Sequence, residues 1–115
     1  METEASPLAW SEFERVDMRV GTIIEARPFP EARWPALVLR IDFGPLGIKK
    51  TSAQITDNYT PETLVGQQVI AVVNFPPKQI AHLMSECLVL GTVDEQRNVT
   101  LLQPERPVAD GLRVG

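Results

Sequence analysis

The chain has 115 residues, with 11 Lys and Arg against 15 Asp and Glu, for a formal net charge of −4. That balance does not suit nucleic-acid binding through bulk charge, although it leaves room for a local basic patch. The single cysteine, Cys87, allows no internal disulfide and points to a reducing compartment, the cytoplasm.

No apolar run approaches the ~18 residues of a membrane span, so membrane insertion is not expected. The acidic first residues do not form a signal peptide. The length suits one domain over residues 1–115, with residues 1–7 read as a loose tail. Ten prolines, grouped in loops, argue against a helical bundle and for short strands joined by shaped loops.

In chain order, Leu8–Arg15 places Trp10 and Phe13 at helical spacing, with Ser6 or Ser11 as the cap. Asp17–Phe29 reads as a first strand, in which Gly21 marks a bulge or a barrel bend. Pro28–Pro35 is a loop carrying Arg33 and Trp34. Ala36–Phe43 alternates, with Leu37, Leu39, Ile41 and Phe43 on one face and Val38, Arg40 and Asp42 on the other. Gly44–Gly47 turns into a third strand, Ile48–Ile55, whose polar face holds Lys49 and Thr51. Thr60-Pro61 starts a short helix that stops at Gly66.

Gln68–Asn74 is the fourth strand. Gln79–Met84 is one or two helical turns at most. Glu86–Val93 and Val99–Leu102 are the last strands, and Gln103–Gly115 is extended. A helix between the third and fourth strands is the order of an all-β, five-stranded oligonucleotide/oligosaccharide-binding (OB) barrel.

The segment VDMRVGTIIEARPFPEARWPALVLRIDFG resembles the first hairpin of the tRNA-binding domain family. That family includes the domain appended to some methionyl-tRNA synthetases and free-standing dimeric versions. The segments KKTSAQITDNYTPETLVGQQVIAVVNFPPKQIAHLMSECLVLG and LLQPERPVADG are more similar still to the CsaA-type chaperones, bacterial and archaeal proteins linked to protein export. The resemblance covers about Phe13 to Gly111, and its combination of SAQIT, VVNFPP and SE-x-LVLG is specific. Glu86-Cys87 follows Ser85 where the tRNA-binding relatives carry Gly-Met, and His82-Leu83-Met84 replaces a more basic or Gly-containing stretch. Both departures count against tRNA affinity. The resemblance implies an OB barrel, a homodimer, and binding of unfolded polypeptide or export machinery, on a surface descended from one that binds RNA.

No enzyme is expected. Gly44–Thr51 lacks the spacing of a phosphate-binding loop, so no ATP site is expected and holding would be passive. His82, the only histidine, would need Ser85 or Cys87 beside it and a third orienting group to act as a catalytic base, which nearness in sequence alone does not supply, and with Cys87 it gives only two of the ligands a metal needs. No cofactor is expected.

The binding surface is placed on the excursion between the fourth and fifth strands. Phe75, Pro76, Pro77, Ile80, Leu83 and Met84 either cap the core or line an apolar groove for extended peptide, and Trp34 is either a second wall or packs under its own loop or in a dimer contact. Arg33, Arg40, Lys49, Lys50 and Lys78 form either a solvated face or a basic rim able to meet RNA. Asn74, Ser85 and Glu86 bond either an extended ligand or local loop amides. Leu8, Trp10, Phe13, Leu112 and Val114 are apolar residues left over by one barrel, and a symmetric pair would bury them.

Overall fold

Alternation along the strands places one set of side chains inside a curled sheet. The computed structural model describes residues 6–115, so most of the expected tail lies outside the described residues. Strand β1 (Met18–Pro28) pairs with β2 (Leu37–Asp42), and β2 pairs with β3 (Ile48–Ala53), all antiparallel. On its other side β1 pairs with β4 (Gln68–Val72), which pairs with β7 (Leu88–Val89). The order β3-β2-β1-β4-β7 is a five-stranded path, and it curls into a nearly closed all-β barrel of the OB type. Ile23, Leu39, Ile41, Phe43, Leu64, Val69 and Ala71 are fully sealed in its core. Each of these except the small Ala71 contributes about 1.5–3 kcal/mol of burial.

Closure between β3 and the segment before β7 uses single bonds rather than a ladder. Glu86 N–H donates to the Lys50 carbonyl at 2.8 Å, and the Glu86 carboxylate accepts from Lys50 N–H at 2.9 Å. Thr51 Oγ1 donates to the Cys87 carbonyl at 2.7 Å. Thr51 is only 1% exposed. It therefore faces the core opposite Leu39, and Lys49 lies opposite Ile41 on that same side. This corrects the reading of Lys49 and Thr51 as the outer polar face. Lys50 is the residue that shares the outer face with Arg40.

Gly21 is not the bulge. The register of β1 and β2 shifts between Ile23 and Glu25, whereas a Cβ on Gly21 would sit 2.6 Å from Ile41 and 2.7 Å from the Phe43 ring. Glycine lets the core pack directly on the β1 backbone. Helix α1 (Trp10–Glu14) is capped at Ala9, whose N–H donates to Glu12 Oε1 at 2.9 Å, and not by a serine. Helix α2 (Pro61–Leu64) follows the N-cap residue Thr60 and buries Leu64.

The excursion differs from expectation. Strands β5 (Lys78–Ile80) and β6 (Leu83–Ser85) form a hairpin, not a helical turn. The expected last long strand is split: Leu90 N–H bonds Ile70, then the chain leaves the barrel as β8 (Gly91–Val93), paired with β9 (Val99–Leu101). The C-terminal arm ends in β10 (Arg113–Val114) on β1. Gln68 secures the arm by bonding both Val108 backbone groups, at 2.7 and 3.1 Å.

Candidate functional site

The β5–β6 hairpin lies over the outer face of the β1–β2 sheet because that face is apolar at one end. Val38, Phe29, Ala36 and Leu83 form a second buried cluster, against which Ala32 and Ile80 pack. His82 stands edge-on to Phe29 with ring centroids 5.7 Å apart. Ala81 makes the reversal with φ 53°, a conformation that costs a non-glycine residue energy and persists because both strands hold it.

Leu83, expected to line a groove if not to cap the core, is 7% exposed and anchors the hairpin instead. Alternation along β6 turns Met84 the other way, and it is 43% exposed on the outer side.

Between this hairpin, the Arg33–Trp34 loop and the β3 edge lies a trough of about 420 Å³, walled by Trp34, Ile80, Lys78 and Leu88. It runs into a second hollow of about 370 Å³ bounded by Phe75, Pro76, Glu86 and Leu88. Both share Lys78, Ser85, Cys87 and Leu88, so they form one continuous groove. Past Trp34 it meets a cleft of about 580 Å³ with Val93, Arg97 and Asp57 on its walls. Trp34 is 60% exposed, Phe75 57% and Leu88 49%. These are large apolar side chains left uncovered side by side, not scattered singly. Leu88 and Val93 escaped the sequence reading because each sits in an apolar run that looks like buried strand.

The groove also offers backbone. Lys50 N–H and C=O point away from β2, toward Glu86. By the alternation of an antiparallel ladder, Ser52, two residues on, points its own backbone groups the same way, its N–H toward the groove it lines and its carbonyl also within 3.3 Å of Thr51 Oγ1.

The expected polar rim divides. Arg33 lies over the Trp34 ring at 5.7 Å and Lys78 lines the trough, so both are at the groove. Arg40 pairs with Glu25 at 3.1 Å on the outer sheet face. Asn74 accepts from Asp17 N–H at 3.0 Å and donates to the Arg15 carbonyl at 2.6 Å, strapping the exit of α1. Ser85 Oγ is 2.7 Å from Thr51 Oγ1, and Glu86 holds Lys50. These three polar groups serve the protein's own closure, the local alternative of the sequence reading. Pro77 is exposed but does not wall the groove.

Burial pushes the Cys87 thiol up to about 12, so it stays protonated. Among the described residues no three His, Cys, Asp or Glu side chains gather as a metal site, and no helix is long and apolar enough to cross a membrane. Elsewhere, Leu8 and Trp10 (82%) are exposed on the approach to α1 and its first turn, and Leu112 on the arm. Phe13 and Val114 are half-buried beside them. Arg113 ties the two segments by donating to the Glu14 carbonyl at 2.7 Å.

A family model described as "Putative tRNA binding domain" matches residues 18–113. The structure of chaperone CsaA from Bacillus anthracis strain Ames is similar at 50% identity and a TM-score of 0.92, covering 96% of this chain and 100% of that one. The CsaA chaperone of Picrophilus torridus is similar at 43% identity and a TM-score of 0.87, covering 95% of this chain and 100% of that one. The methionine–tRNA ligase of Porphyromonas gingivalis strain ATCC 33277 is 36% identical over 110 residues. Those residues are 96% of this chain, which spans only 16% of the ligase.

Proposed function

The chain belongs to the tRNA-binding domain family, and from that premise we propose that it is a CsaA-type chaperone that holds unfolded polypeptide without ATP. The observation that carries this reading is the uncovered apolar groove from Phe75 through Leu88 to Trp34. An extended segment would add its backbone to the β3 edge at Ser52 and set alternate side chains against Trp34, Ile80 and Leu88. The rigid, proline-bounded walls limit the ordering cost of binding. The similarity to CsaA structures over their whole length supports it. Two copies joined through Leu8, Trp10, Phe13, Leu112 and Val114 would present two grooves, so that two weak sites hold one chain more tightly. The clients on this reading are export-bound polypeptides in the cytoplasm, and no catalytic step is involved.

tRNA binding is the second reading, favoured by the methionine–tRNA ligases among the relatives. Salt separates the two. Phosphate binding weakens steeply as salt rises, whereas apolar binding holds. Titrating labelled tRNA and a labelled unfolded polypeptide at low and high salt tests the proposal. Polypeptide binding that survives high salt supports it. Micromolar or tighter tRNA binding with no polypeptide binding overturns it.

A further inference from the structure

The β5–β6 hairpin has a second side, and the chemistry there is different. Its tip, at His82 and Leu83, closes a cleft of about 240 Å³ against the outer face of β1, β2 and β3. Glu25, Arg40 and Lys50 stand in one row across the three strands, and Arg27 lies next to Glu25 on the same face of β1. Neighbours in such a row have Cβ atoms about 5 Å apart. Three basic side chains therefore meet one carboxylate in a chain whose net charge is −4. The Arg40–Glu25 pair is half exposed at 3.1 Å, and Arg27 has no ion pair among the described residues. The floor is Phe29, Val38 and Leu83, all buried. An apolar floor lowers the local dielectric and strengthens charge interactions above it.

We propose that this cleft is an acidic-residue subsite, taking the carboxylate of an Asp or Glu in the polypeptide held by the neighbouring groove. The inference rests on the holding function above. Position links the two sites: Lys50 lines the cleft and Ser52 lines the groove, and they point the same way about 7 Å apart along β3. A client whose apolar side chain sits at Ile80 and Leu88 brings a nearby acidic side chain over Arg27 and Lys50. A nucleic-acid strand is the poorer fit. Phe29, the aromatic ring of the floor, is 3% exposed and offers no stacking platform, and Glu25 opposes a run of phosphates.

The test uses two fluorescent extended peptides rich in Leu and Phe that differ only in one Glu or Gln, with anisotropy read at low salt. The Glu peptide is expected to bind about fivefold tighter than its Gln twin. Arg27→Ala should abolish that difference and leave the Gln peptide unchanged, while Glu25→Gln, which removes the competing carboxylate, should widen it. Both positions are exposed or nearly so on the sheet face, and circular dichroism checks that each variant folds. Equal binding of the two peptides by the wild type overturns the subsite alone and leaves the holding function standing. Binding of neither peptide overturns both. A labelled oligoribonucleotide that loses affinity in Arg27→Ala, with the Glu peptide unaffected, overturns the subsite in favour of RNA.

Discussion

Thr51 and Cys87 meet where the barrel closes, and between them they set the chemistry of the groove floor. The Thr51 hydroxyl is 2.7 Å from both Ser85 Oγ and the Cys87 carbonyl, so this buried polar group has its partners. The thiol beside it is held neutral by burial, with its pKa raised to about 12. Because the folded value lies above the unfolded value of about 8.5, this group favours folding at lower pH, and the benefit is lost as pH rises toward about 12. Iodoacetamide near pH 8.5 should therefore modify native Cys87 far more slowly than the urea-unfolded chain. Equal rates would contradict a buried, protonated thiol. Thr51 was the residue least legible in the sequence. Ile48 is 49% exposed on the outside while Lys49 and Thr51 turn inward, so the hydrophobic pattern of β3 gives no reliable phase. Only its register with β2 settles which side is in.

At the scale of elements, the hairpin β5–β6 divides the outer face into an apolar groove and a charged cleft, and one side chain holds it down. Leu83→Ala should cost about 2–4 kcal/mol in urea unfolding, through lost burial and the cavity left beneath the hairpin. A loss below about 0.5 kcal/mol would mean that the hairpin is held by something else. The barrel strands were readable because β2 alternates cleanly and Gly, Pro and Asn punctuate its neighbours. The hairpin was not. Gln79, Ile80, Ala81, Leu83 and Met84 include several good helix formers, and a three-residue strand has no room to show a period. Tertiary packing on Val38 and Phe29 overrides that local preference. The same limit hid the break at Leu90, where one apolar run serves two sheets.

For the whole molecule, two sets of large apolar side chains are left uncovered on one small barrel: those of the groove, and Leu8, Trp10 and Leu112. On the proposed function the first set meets clients and the second a partner copy. Sedimentation should give a dimer for the wild type and a smaller species for Trp10→Ser. A monomer in both would contradict the assignment of that patch. Of the apolar residues named on the excursion, Phe75, Pro76 and Ile80 line the groove and Pro77, Leu83 and Met84 do not; the Leu88 wall and the backbone edge at Ser52 were not legible, because these depend on which strand stays unpaired after closure. Amide hydrogen exchange of the protein, with and without a bound unfolded polypeptide, tests whether the groove takes the client. Slower exchange is expected at Ser52 and around Phe75, Lys78 and Leu88, with the α1 end unchanged by the client itself. Protection absent from those positions, and found only on the surface away from the groove, would contradict it.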